Sequence, residues 1–356
     1  MVRRANSAMM LPDAPDYPLR LTIDSAALVA NWRALDRLSG SAAAAAAVKA
    51  DAYGLGARRA VPLLRDAGCQ TFYVAHWAEA AELIDLVPAE SLAVLHGPLD
   101  EPDAAYAKAS GIKPVINTLH QARLWLDAGG GLCDLMVDTG MNRIGIVMDE
   151  LGDPLIARLA IDTLHSHLAS ADEQSPLNEV QRGRWLEARG QIAHRRAALA
   201  NSAGIALGEG YHGDITRPGL ALYGGVPAAG LAGHIRQVAI PQARLIQCRA
   251  LQAGETVGYN ATYTAAGPLR IGVVSLGYAD GYLRCWSGLG AMHASGARLP
   301  VLGRVSMDMT AIDLTAAPHL GEGDWVSIEY SLPEASALSG LSQYELLTTL
   351  GRRFQR

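Results

Sequence analysis

Lysine is almost missing from this chain, which has three lysines against 27 arginines in 356 residues. Its cationic charge is therefore nearly all guanidinium, which binds anions but neither attacks a carbonyl nor gives up a proton near neutral pH. Cysteine is sparse too. Cys69, Cys133, Cys248 and Cys285 are scattered, with no metal-type spacing and no disulfide framework, and they read as small core residues in a reducing compartment. The longest unbroken apolar run, residues 42–48, falls far short of the ~20 residues a membrane span needs. Arg3 and Arg4 are followed by Asn6, Ser7 and two prolines, with no apolar region long enough for a signal peptide. A net charge of −5 and the lack of a basic stripe with interleaved aromatics argue against a nucleic-acid partner. These absences predict a soluble cytoplasmic protein that engages neither membrane nor nucleic acid.

Half of the residues are hydrophobic, and at ~150 residues per domain the length suggests two domains. Residues 1–18 read as a loose leader, and Leu19 to Asp24 alternates as a strand does. A strand-then-helix rhythm follows. Short apolar segments at 43–49, 71–75, 92–96, 113–117, 133–138, 161–168, 196–201 and 216–223 are spaced by segments of helical periodicity, at 58–67, 78–86, 103–109, 120–128, 150–159 and 179–192. Eight such units fit a (β/α)8 TIM barrel, whose active site lies at the C-terminal ends of its strands. Periodicity alone also permits an open doubly wound sheet. Past about residue 232 the rhythm gives way to short alternating runs at 238–250, 256–264, 269–276, 301–314 and 325–329, which predict a mainly β C-terminal domain. The expected division is 1–232 and 233–356.

Lys49 stands at the end of the first barrel segment, in Val48-Lys49-Ala50-Asp51-Ala52-Tyr53-Gly54-Leu55-Gly56. A lysine amine, unlike guanidinium, can lose its proton, attack a carbonyl and form a Schiff base. On residue grounds alone a surface lysine at a loop edge is the commoner meaning. The stretch resembles the lysine motif of the alanine racemases, pyridoxal-phosphate enzymes built of a barrel and a β domain. Further similar segments are Val137-Asp138-Thr139-Gly140-Met141-Asn142-Arg143, His165-Ser166-His167, Asn201-Ser202-Ala203-Gly204, Thr216-Arg217-Pro218-Gly219-Leu220, Gly258-Tyr259-Asn260, Arg304-Val305-Ser306-Met307 and Tyr344-Glu345. The resemblance runs from residue 19 onward.

The resemblance implies pyridoxal 5'-phosphate on Lys49, held by Tyr53, His167, Ser202, Arg217, Gly219, Leu220 and Tyr344. It implies that Arg143 and Met307 bind the substrate carboxylate region, and that Tyr259 is a second base. Met136 departs from the pattern: many members carry a lysine there, often carbamylated, whose negative end steadies the arginine. Methionine cannot do so, and either another anion substitutes or Arg143 is held less rigidly. His165 and His167 alternate on one strand face, but no third ligand accompanies them, and no metal is expected. Read alone, Arg217 is an ordinary barrel-top cation and Ser202 a helix cap. Facing the cofactor's pyridine nitrogen, a fixed positive charge disfavours protonation there and suppresses side reactions of a stabilised carbanion.

Implied, then, is an alanine racemase working by two bases on a pyridoxal-phosphate aldimine, Lys49 serving D-alanine and Tyr259 L-alanine. A tyrosine, with a pKa of ~10 in water, needs a polarised network to act so. In the family it reaches across a homodimer, which makes Tyr259 and Met307 residues supplied to the partner's site. A broad-specificity amino acid racemase shares nearly all of these features and stays open on residues alone.

Overall fold

The structure, a computed structural model, describes residues 16–355. The expected leader at 1–18 lies mostly outside the described residues. Seven short parallel strands form a curled sheet in the order Arg196–Ala198, Ala160–His165, Leu132–Asp138, Lys113–Ile116, Leu92–Val94, Phe72–Val74 and Ala46–Ala47. Their residues are nearly all buried, as in strands covered on both faces.

The first barrel segment is one strand divided at Ala45. Its N–H groups alternate sides, Ala46 and Val48 donating to Thr71 and Tyr73, and Ala43, Ala45 and Ala47 donating to Asp214, Thr216 and Pro218, at 2.8–3.0 Å. This second set closes the barrel through Ile215–Thr216.

That eighth strand is much shorter than its apolar run at 216–223 predicts. Pro218 offers no N–H to a ladder, and after Gly219 the chain turns into a 3-10 helix, Leu220–Tyr223, buried on all sides. A short run buried all round looks the same to periodicity whether extended or helical.

The helices between strands begin at caps. Asp24, Asp100, Thr118 and Ser175 each accept a backbone N–H two or three residues on, and Gly68 and Gly111 end their helices in the left-handed conformation.

The second sheet is antiparallel, in the order Leu19–Ile23, Ala239–Leu251, Leu269–Val274, Thr310–Asp313, Ala297–Leu302, Ala291–Ala294 and Trp325–Ile328. The last strand also pairs with Ala239–Leu251, closing the sheet on itself. Leu19–Ile23 thus belongs by pairing to the second sheet, although in sequence it precedes the barrel. The chain then returns to the barrel through the helix Gln343–Thr348, where Val226 N–H donates to Gln343 Oε1 at 2.8 Å. Among the described residues no helix is long and apolar enough to cross a membrane.

Candidate active site

Lys49 follows the first barrel strand and opens a turn of unusual hand. Ala50, Asp51, Ala52 and Tyr53 all have positive φ, between 52° and 57°. For L-residues this conformation costs roughly 1–2 kcal/mol each, so the turn persists only because its surroundings impose it. Glu79 is one such constraint. Its carboxylate accepts the N–H of Ala50 at 2.7 Å and that of Ala75 at 2.7 Å, tying the turn to the end of the next strand. Asp51 Oδ1 accepts from Ala57 N–H at 2.6 Å, and an added Cβ at Gly54 would lie 2.8 Å from the Leu347 carbonyl. The helix Gln343–Thr348 therefore sits directly on the turn.

A cavity of about 590 Å³ opens at the C-terminal ends of the barrel strands, lined by Lys49, Tyr53, Arg143, His167, Arg217 and Tyr344 among others. Ser202, Gly219 and Leu220 also line it. Burial, then the charges of Arg143 and Arg217, pulls the Lys49 pKa below the ordinary lysine value, and Glu79 opposes them. His167 is held well below the usual histidine range by burial and by Arg217, Arg143 and Lys49, so its imidazole is neutral at neutral pH.

Arg217 is buried, and its Nη2 donates to the carbonyls of Ser166 and of Leu199, the latter at 3.3 Å. Among the described residues its Nε has no hydrogen-bond partner, and neither of these two hydrogen bonds goes to a carboxylate. Beside it Ser202 Oγ accepts from the N–H groups of Gly219 and Ala221 at 2.9 and 3.2 Å, gathering two chain segments into a small polar cradle. A Cβ on Gly219 would stand 2.2 Å from Tyr53 Oη, so only glycine lets the hydroxyl approach. Tyr53 in turn packs between Tyr223 and Tyr344, at ring-centroid separations of 4.9 and 6.2 Å.

Arg143 is exposed at the cavity mouth and makes no hydrogen bond or ion pair with any described residue. Met136 is buried, lines the same cavity and packs in an apolar barrel layer with Tyr73, Val115 and Ile215. His165, two residues before His167, does not line the cavity; it packs edge-on against Tyr73 and pairs through Nε2 with buried Asp134 at 3.0 Å. Two sequence-read residues are not gathered here. Tyr259 and Met307 lie on the C-terminal domain outside the cavity, 63% and 54% exposed. Conversely Glu79, Tyr73 and His96 belong to the site or its support and carry no motif that would have revealed them.

A closed parallel barrel that holds, at its strand tops, a lysine of lowered pKa and a buried arginine hydrogen-bonded only to backbone carbonyls, joined to an antiparallel domain, defines a two-domain barrel enzyme of lysine–carbonyl chemistry. The chain belongs to the alanine racemase family: residues 23–227 match the alanine racemase N-terminal domain and 238–356 the C-terminal domain. It is 39% identical to an alanine racemase of Methylobacterium nodulans, over 95% of each chain, and 40% identical to that of Rhodospirillum rubrum, over 94% of each. Among solved structures, the Bartonella henselae alanine racemase with covalently bound pyridoxal phosphate superposes with a TM-score of 0.87 at 32% identity, covering 96% of this chain and 99% of that one. The biosynthetic enzyme of Pseudomonas aeruginosa gives 0.86 at 35% identity, with 96% and 99% covered.

Proposed function

We propose that this protein racemises alanine with pyridoxal 5'-phosphate as cofactor, by two bases, one from each protomer of a homodimer. The observation that carries the reading is a Lys49 of lowered pKa sharing one cavity with a buried Arg217 whose hydrogen bonds go to backbone carbonyls and not to a carboxylate. The residues present fit the cofactor: among the described residues Arg217 leaves a buried Nε without a partner, and Tyr53, Ser202, Gly219, Leu220 and Tyr344 line one end of the cavity with the hydroxyls and backbone N–H groups that suit a phosphate. Leu220 N–H would share in holding that phosphate, and His167 would lie along the ring. Bound there, the cofactor supplies the electron sink that acidifies the Cα–H of an amino acid joined to it.

The protein's own groups then divide the work. Arg143 takes the substrate carboxylate by the two-pronged donation its fork allows. Lys49 Nζ, its pKa lowered, removes or returns the Cα proton of D-alanine. Tyr259 Oη of the partner protomer serves the other face, with Met307 beside it. Neither base reaches both faces, so geometry rather than basicity enforces inversion. The exposure of Tyr259 and Met307 away from their own cavity supports a contribution in trans. We take the division between the domains to fall at 232/233, and the protein to be cytoplasmic.

The test is chirality and solvent-deuterium incorporation at Cα over a panel of L-amino acids with the holoenzyme. Fast inversion confined to alanine is expected, with loss of racemisation in both Lys49→Ala and Tyr259→Phe. Near-normal turnover by Tyr259→Phe sinks the two-base assignment, and inversion of bulky side chains at similar rates points to a broader racemase.

A further inference from the structure

We infer that Arg353, pinned by buried Asp280, is a positioning residue that sets the Met307 turn for the partner's active site. The inference rests on the dimer proposed above. Met307 and Asp308 stand at the tip of a tight turn, Ser306 N–H donating to Met309 O at 2.9 Å, and residues 307–309 are exposed. A turn with so little buried surface has little of its own to fix it. It is held instead from one side. The N–H groups of Tyr278 and Ala279 donate to the carbonyls of Ser306 and Met307, both at 3.0 Å, and Gly277 is so close that a Cβ would lie 2.3 Å from the Met307 carbonyl.

Arg353 completes the grip. Its Nε lies 2.7 Å from Asp280 Oδ1 and its Nη1 2.7 Å from Asp308 Oδ1. The outer pair, half exposed, contributes little alone. The inner one differs: Asp280 is 1% exposed, and its other oxygen accepts Gly277 N–H at 2.9 Å. A close ion pair with a buried carboxylate thus anchors the guanidinium, whose Nη1 in turn donates to Asp308.

The same loop grips the end of the chain. Gly351 N–H donates to Asp280 O at 3.0 Å, and a Cβ on Gly281 would stand 2.1 Å from the Thr349 carbonyl. Residues 349–353 follow the helix that brings Tyr344 to the chain's own cavity. One loop therefore holds Tyr344 for its own site and Met307 for the other, and Arg353 acts in trans.

Dimers of two differently tagged chains, purified as mixed species with the cofactor bound, separate the two effects. When Lys49→Ala and Arg353→Gln share a chain opposite an unaltered one, the single live lysine faces the altered turn, and KM for alanine is expected to rise about tenfold with kcat changed less. When the two substitutions sit on opposite chains, the live lysine faces an intact turn and KM stays normal. Arg353→Lys, one ammonium in place of a fork, falls between. Should Arg353→Gln fail to fold, Asp308→Asn at the exposed end replaces it in both arrangements. Equal kinetics in the two arrangements, or equal loss of thermal stability and activity in both, overturns the inference. Mixed dimers of Lys49→Ala with Tyr259→Phe serve as control: their failure to regain activity refutes contribution in trans itself, whereas their recovery beside equal arms refutes only the clamp.

Discussion

Gly219 shows how one residue can decide whether the cavity exists. With a methyl group placed 2.2 Å from Tyr53 Oη, Gly219→Ala must displace the hydroxyl or the 3-10 turn that follows. Either shift spoils the cradle around Ser202, and affinity for pyridoxal phosphate is expected to fall by tenfold or more, about 1.4 kcal/mol, as read by absorbance titration of the cofactor-free protein. Binding within twofold of normal would mean the cradle lies elsewhere.

His165 gives a second prediction at this scale. Burial pushes its pKa down to about 4 despite the opposing hydrogen bond and charge of Asp134. Below about 6.5 the unfolded chain binds a proton here that the folded chain refuses, so this stability is present above pH 6.5 and is lost as pH falls toward 4. Asp134, its pKa lowered by Lys113 and His165 against burial, adds loss in the same direction at lower pH. Urea midpoints should fall between pH 7 and pH 4, and a flat profile would show His165 to be solvated or differently paired.

Most cavity residues were legible because they ride in contiguous motifs at strand ends: Lys49 with Tyr53, Ser202, and Arg217 with Gly219. Glu79 was not, since a single glutamate that ties a neighbouring N–H, that of Ala75, to one 29 residues away, that of Ala50, carries no motif to read.

At the scale of elements, the left-handed turn after Lys49 is the least legible piece of the chain. Its residues, Ala50, Asp51, Ala52 and Tyr53, are ones for which a sequence reading expects a right-handed helix, and only the glycine after them hints at a positive φ. The conformation is imposed by Glu79, by Gly56 N–H donating to Asp51 O at 2.8 Å and by the helix pressed on Gly54, all matters of tertiary structure. Relaxing it is therefore expected to stabilise the fold. Ala50 is exposed with φ of 54°, so Ala50→Gly removes strain without opening a cavity and should add about 1 kcal/mol to unfolding stability, measured by denaturant titration. A loss of stability would mean that the turn is not strained at that residue. The eighth strand teaches the opposite lesson. Its apolar run promised more strand than Pro218 and Gly219 permit, whereas the capped helices were legible because Asp24, Asp100, Thr118 and Ser175 carry their own start signals.

For the molecule as a whole, the cavity presents one candidate base while the other lies outside it. Tyr259 follows Gly258, whose φ is 73°, and sits in a loop between the short paired strands Thr256–Val257 and Tyr263–Thr264, exposed to solvent. In the dimer proposed above, burying this side chain against a second copy would give it what the isolated chain does not, namely a substrate face to meet and groups such as His167 and Arg217 to polarise it. Activity should then depend on association in a way that cofactor binding does not, because Lys49, Tyr53, Ser202 and Gly219 all belong to one protomer. On dilution through the dimer dissociation range, measured by sedimentation, racemisation per chain should vanish in step with the dimer fraction while the absorbance of bound pyridoxal phosphate persists. Turnover that stays constant into the monomer range would require a second base within the chain, to be sought among cavity-lining groups such as His96, His167, Asp172 and Tyr344.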